Sequence, residues 1–224
     1  KTATTIYGGS FTSYSKTAVQ VGNGNPPSDS GAGRESTVLI KGGTFVGGDI
    51  EKTAIKVENT QYAIGAANIT GGIFSSNPAA YLATGYVAKK DTPSAGLWTV
   101  DARDGMVAEV GEPESGTVSA EVGGSYNGNE SQNSSNNVES GSTVTIDVTT
   151  DNSQADVKTA QVTIHEAALT SVKENSTVTE VAIKTDVGTV TLGKTAWDTV
   201  TANADGDSVV LSVEKNQESI TGGL

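Results

Sequence analysis

Few side chains in this chain are able to do covalent chemistry. Its 224 residues include no cysteine and a single histidine, His165. That excludes disulfides, thiolate metal sites, a cysteine nucleophile and any site built on several histidines. What remains is carboxylate and amine chemistry. Arg34, Glu35, Lys41, Asp49, Glu51, Lys52, Lys56 and Glu58 crowd one stretch. Glycoside hydrolysis needs two carboxyl groups roughly 5 to 9 Å apart, and Asp49 and Glu51 share one side of the chain if it is extended there. An i, i+2 acidic pair is also what an ordinary solvated strand carries, and a charged solvent face is the favoured reading. His165 stands where an alternating apolar run meets a helical pattern, without a matched nucleophile, so it reads as a helix-start or surface residue. Asn203-Ala204-Asp205-Gly206-Asp207-Ser208 resembles a calcium loop, but its twelfth position falls on Glu214 inside a strand pattern, so an Asp-Gly turn is expected. The sequence therefore assigns no catalytic residue, no metal site and no cofactor.

The aromatic residues are the other candidates. Phe11, Phe45 and Phe74 would suit a sugar-stacking platform, but their equivalent positions in a repeat favour an internal ladder. Tyr81, Tyr86 and Trp98 are concentrated in one short stretch. Amphipathic rings near a rim are what carbohydrate and protein partners contact, and these three are the candidate binding residues beside their role in closing a core.

Two recurring frames must position all of these. Ile6-Tyr7-Gly8-Gly9-Ser10-Phe11, Ile40-Lys41-Gly42-Gly43-Thr44-Phe45 and Ile69-Thr70-Gly71-Gly72-Ile73-Phe74 share the pattern I-x-G-G-x-F at spacings of 34 and 29 residues. Between copies, Thr17-Ala18-Val19-Gln20-Val21-Gly22-Asn23 matches Thr53-Ala54-Ile55-Lys56-Val57-Glu58-Asn59. Each frame is a short strand ending at Gly or Asn, and one such coil cannot bury its own apolar face. Stacking the coils puts Ile over Ile and Phe over Phe, with about 4.8 Å between rungs. The expectation is a right-handed parallel β-helix of about three coils. Its first coil starts at residue 1 without a cap, as if cut from something longer. Pro78-Ala79-Ala80-Tyr81-Leu82 predicts a helical turn, and Tyr86-Val87-Ala88-Lys89-Lys90 with Leu97-Trp98-Thr99-Val100 predicts a hairpin, so residues 75–103 read as a cap.

Residues 1–105 are thus expected to form coils and cap. Residues 106–141, rich in Gly, Ser, Asn and Glu, read as a flexible acidic connector that contributes at most a strand over Thr117-Val118-Ser119-Ala120-Glu121-Val122. Residues 142–216 read as a small β-rich domain with two short helices, and 217–224 as a tail. This domain carries its own duplication, with 162–175 aligning on 190–203 at an offset of 28. In each copy a strand runs into an amphipathic helix, with inner positions Ala168, Leu169 and Val172 in one and Ala196, Trp197 and Val200 in the other. The fold class is mostly β overall.

Charge and composition bound the partners. A net charge of −12 argues against nucleic acid and anionic membranes, because phosphate contacts need clustered Lys and Arg. No apolar run approaches the roughly 20 residues of a membrane-spanning helix.

The G-G-x-F series, followed by Pro78-Ala79-Ala80-Tyr81-Leu82-Ala83-Thr84-Gly85-Tyr86-Val87 and Leu97-Trp98-Thr99-Val100, resembles the terminal coils of repetitive β-helix surface proteins of gut Gram-positive bacteria. The duplicated segment with Val181-Ala182-Ile183-Lys184-Thr185-Asp186-Val187-Gly188-Thr189-Val190-Thr191-Leu192 is similar to the domain that follows such coils, often ahead of wall-binding or S-layer-homology repeats. The resemblance implies a secreted, extracellular, cell-wall-attached protein and carries no activity with it. The expected role is non-catalytic adhesion or display toward host glycans or host proteins such as mucin or immunoglobulin. A fragment of a β-helix polysaccharide lyase or hydrolase, and a purely structural spacer, are the alternatives.

Overall fold

The computed structural model describes residues 2–22, 34–50, 52–60, 63–91, 96–130, 137–150 and 156–215. The described residues are mostly β, with nineteen strands and two α-helices. The chain divides into two compact units, Lys1–Ala102 and Arg103–Leu224.

In the first unit the strands are β1 (Thr2–Ile6), β2 (Ser10–Thr12), β3 (Val19–Val21), β4 (Arg34–Ile40), β5 (Thr44–Val46), β6 (Ile55–Val57), β7 (Asn59–Thr60), β8 (Ala63–Ile69), β9 (Gly72–Phe74), β10 (Tyr86–Lys90) and β11 (Trp98–Ala102). Strands that share a frame pair in parallel. β1, β4 and β8 lie side by side with Ile6, Ile40 and Ile69 in one row, and β2, β5 and β9 do the same with Phe11, Phe45 and Phe74. The second frame pairs β3 with β6, Val19 opposite Ile55 and Val21 opposite Val57. The phenylalanine rings stack face to face at 4.9 Å, first Phe11 on Phe45, then Phe45 on Phe74. This equals the spacing of neighbouring strands, so the rings repeat with the backbone. Phe45 and Phe74 are fully buried and Phe11 is half-buried. The three rings are therefore core, not a sugar platform.

The double glycine makes this packing possible. The second glycine of each frame has a positive φ, 115°, 117° and 114° at Gly9, Gly43 and Gly72, a region that side chains disfavour. A β-carbon on the first glycine would sit 2.8 Å from the Tyr7 carbonyl oxygen at Gly42, and against the Lys41 carbonyl at Gly71. After the third frame a 3-10 turn (Ala79–Tyr81) leads to the predicted hairpin, in which β10 and β11 are antiparallel. β11 lies along the free edge of β9, with Trp98 opposite Phe74.

The second unit comprises β12 (Val107–Val110), β13 (Thr117–Gly123), β14 (Val138–Glu139), β15 (Thr143–Asp147), β16 (Thr159–Ile164), α1 (Glu166–Glu174), β17 (Glu180–Thr185), β18 (Gly188–Gly193), α2 (Lys194–Ala204) and β19 (Val209–Glu214). They form two four-stranded sheets, β12-β13-β16-β19 and β14-β15-β17-β18. Each sheet uses one pairing scheme: antiparallel, then parallel, then antiparallel. One apolar core draws on both sheets and on both helices, including Val122, Val162, Ile146, Ile183, Leu169 and Trp197.

Two expectations change here. Residues 106–141 are not a flexible connector where the structure describes them: Met106, Val107, Ala108, Val118, Ala120, Val122 and Val138 are buried, and β13 is the parallel neighbour of β16. Val118, Ala120 and Val122 alternate at period two, which is what puts them on one buried face. The second difference is in α2, where Trp197 is buried and Val200 half-buried but Ala196 is exposed, while Ala168, Leu169 and Val172 of α1 are all buried. The expected tail, 217–224, lies outside the described residues.

Candidate functional site

Period-two alternation decides which residues of the first unit face water. Ile6 points inward, so Tyr7 points out, and it is 68% exposed. On β2, Phe11 points inward and Thr12 out, and the next outward position, Tyr14, is 91% exposed. Ile50, in the bend after β5, is 82% exposed. The Lys41 ammonium lies 5.4 Å from the centre of the Tyr7 ring, a cation–π distance. Lys41 and Tyr7 hold the same place in successive frames, so the repeat itself brings them together.

Sequence reasoning pointed instead to Tyr81, Tyr86 and Trp98. All three are half-buried and pack against the apolar core of the first unit. Each has part of its surface accessible, and the Lys90 ammonium stands 5.9 Å from the Trp98 ring centre. Tyr7, next to the inward Ile6, and Tyr14, three residues beyond the inward Phe11, are the outward positions that the same period-two alternation marks in the sequence.

The charged stretch does not converge. Asp49 lies in a bend beyond β5, so the extended geometry that would pair it with Glu51 does not apply, and Glu51 itself is outside the described residues. Glu35, Asp49 and Lys52 are exposed. Lys56 pairs with Glu58 at 2.9 Å, and Glu58 also accepts from Gln20 Nε2 at 3.4 Å, which ties one repeat to the next. The side chain of Arg34 is outside the described residues.

In the second unit His165 is the residue before the first turn of α1, as expected for a helix start, but it is buried and not on the surface. Its Nε2 is 3.3 Å from Glu121 Oε2. Gly193 takes the matching place before α2, so the duplicated helix start does not need an imidazole. Asp205 and Gly206 form a left-handed turn after α2, with φ of 48° and 80°, and the Asp207 amide donates to the Ala204 carbonyl. Among the described residues no three His, Cys, Asp or Glu side chains are grouped to hold a metal ion.

One buried carboxylate escaped sequence reasoning. Glu130 is 6% exposed, and its Oε1 accepts from the amides of Met106 at 3.1 Å and Asn127 at 2.9 Å. Among the described residues its Oε2 has no hydrogen-bond partner. Glu130 therefore pins the loop after β13 to the start of β12. Its neighbour Tyr126 has a phenol pushed above the usual tyrosine range, chiefly by burial, with the negative charge of Glu130 adding to the effect. The polar setting of both residues, Asn127-Gly128-Asn129-Glu130, looks like a loop in sequence and hides their burial.

Among the described residues no helix is long and apolar enough to cross a membrane. No family model, curated protein or solved structure matches the chain.

Proposed function

We propose that residues 2–102 are the terminal coils and cap of a right-handed parallel β-helix. We further propose that the chain is a non-catalytic extracellular module of a Gram-positive cell-surface protein that binds host glycans or glycoproteins such as mucin. The β-helix reading is supported by three sets of parallel strands in which equivalent residues of successive frames are neighbours. The observation that carries the binding role is the exposure of Tyr7, in the first frame, and of Tyr14, just after β2, with the Lys41 ammonium beside Tyr7. An aromatic face presents C–H-compatible surface to a sugar ring, and a neighbouring amine donates hydrogen bonds to hydroxyl, sialyl or sulfate oxygens. A module with net charge −12 would meet acidic glycans weakly over most of its surface, so a local cation beside an aromatic ring is where such a ligand is admitted.

The test is binding of the intact chain to glycan arrays and immobilised mucin, repeated with Tyr7→Ala, Tyr14→Ala and Lys41→Ala. Tyr7 and Tyr14 are exposed, so their substitution leaves folding within about 0.5 kcal/mol, and the half-buried Lys41 variant is checked for an unchanged denaturation midpoint. Loss of a detected signal in these variants, with Tyr81, Tyr86 and Trp98 intact, is the expected result. A signal that survives all three substitutions, or no signal for any glycan or host glycoprotein, contradicts the adhesive reading.

A further inference from the structure

The first repeat of the N-terminal unit is built as though it were not the last layer. β1, β2 and β3 each stand at the end of their sheet, joined in parallel to the next copy on one side, so that among the described residues the other edge of all three has no strand beside it. Phe11 has its ring covered by Phe45 on one face, and it is half-buried where Phe45 and Phe74 are fully buried. A cavity of about 240 Å³ opens at this layer among Thr2, Thr4, Ile6, Val19, Val21 and Val38.

Gly8 is the sharpest sign. In the second and third frames a β-carbon on the first glycine would collide with the backbone carbonyl of the preceding layer, Tyr7 for Gly42 and Lys41 for Gly71. At Gly8 a β-carbon would meet nothing within 4 Å, and Gly8 has no positive φ. Its glycine identity serves no contact among the described residues, but the same geometry would bring a carbonyl there if another layer lay above it.

We infer that the rung formed by β1, β2 and β3 is an assembly edge that takes one more coil of the I-x-G-G-x-F frame in parallel register. The incoming coil sets its Phe on Phe11 and its Ile on Ile6, fills the cavity, and places a carbonyl against Gly8. β1 has no charge or proline to discourage pairing, since residues 2–6 are Thr, Ala, Thr, Thr and Ile, whereas the hairpin strand β10 at the far end of the β2 sheet carries Lys89 and Lys90. A second copy of the chain fits less well. A copy that keeps its core in line with this one presents the same edge in the antiparallel sense, which breaks the register that stacks like on like.

The inference rests on the β-helix reading and is tested on the whole chain. A duplicate of residues 1–33 is fused ahead of residue 1, and, to guard against a poor junction, a duplicate of residues 34–62 is fused in a second version. Amide hydrogen exchange over 2–21 is then compared with the unextended chain. The expected result is exchange slowed at least about ten-fold in the extended chain, with Gly8→Ala harmless alone and abolishing the slowing when the coil is present. Exchange that stays fast in both extended versions, or slows equally with Gly8→Ala, overturns the inference. So does a dimer of the unextended chain, seen by sedimentation, whose 2–21 amides are already protected. Failure of the β-helix reading itself is distinguishable, because the amides of β4 and β8 would then exchange quickly in every version.

Discussion

The two units both come from internal duplication, yet they use it in opposite ways. In the first, copies repeat by translation, so equivalent residues of neighbouring copies become contacts: Ile6 with Ile40 and Ile40 with Ile69, Thr17 with Thr53, Phe11 with Phe45 and Phe45 with Phe74. In the second, the copies exchange sheets. β16, α1 and β17 run from the first sheet to the second, and β18, α2 and β19 run back. Equivalent residues meet where the helices touch. Trp197, the counterpart of Leu169, donates its indole N–H to the Leu169 carbonyl at 3.1 Å. Elsewhere the copies have different surroundings, and Ala168 is buried while its counterpart Ala196 is exposed. A translational repeat makes copies interchangeable except at the ends, whereas an exchange makes them unequal throughout.

The largest effect that sharpens this contrast lies at the helix contact. Trp197→Ala removes a fully buried ring and its hydrogen bond, and should cost the second unit about 3–5 kcal/mol in chemical denaturation. Its inequality is exposed by a matched pair: Ala168→Leu overpacks a filled site at a cost of about 1–3 kcal/mol, while Ala196→Leu is near neutral. Equal costs would mean that the two helices occupy equivalent environments after all.

In the first unit the order is set by position in the stack. Phe45→Ala, with rings on both faces, should cost about 3–5 kcal/mol, and Phe11→Ala, covered on one face, about half as much. Gly42→Ala should cost about 1–3 kcal/mol because the Tyr7 carbonyl has to move, with Gly8→Ala within about 0.5 kcal/mol. A flat profile along either series would break the translational account.

The smallest effect is in alkali. The Tyr126 phenol is raised above its unfolded value by burial, so the folded state holds the proton more tightly. Its contribution is fully present below about pH 10, the unfolded value, and is lost as pH rises through the higher folded value. Tyr126→Phe should flatten that part of the stability profile, measured as the denaturation midpoint between neutral and alkaline pH.

What could be read from the residues follows the same division. The frames of the first unit were legible because translation keeps each position in one environment, so Ile6, Ile40 and Ile69 had to be alike. The stretch over 106–141 was not, because its inward positions are small or sparse, Ala108, Val118, Ala120 and Val122, among many polar neighbours. Burial there comes from β16, more than thirty residues further along in the register that sets Val122 opposite Ile164. Ala196 misled for a related reason: helical periodicity gives an inner face but not how much of it the sheets cover. The candidate site was the least legible part. An exposed tyrosine and a half-buried one are the same letter, and only the alternation around Ile6 and Phe11 separates Tyr7 and Tyr14 from Tyr81 and Tyr86.

The central claim, that like positions of successive frames are nearest neighbours in the first unit, is tested most directly by crosslinking, since the chain has no cysteine of its own to interfere. Ser10, Thr44 and Ile73 lie in one row across β2, β5 and β9. Adjacent strands put α-carbons about 4.8 Å apart, within disulfide reach, and strands two apart put them about twice as far, beyond it. The account predicts that the double variants Ser10→Cys with Thr44→Cys, and Thr44→Cys with Ile73→Cys, oxidise to intramolecular disulfides under mild conditions, while Ser10→Cys with Ile73→Cys stays reduced. Ready crosslinking of that last pair, or none in the first two, would contradict it.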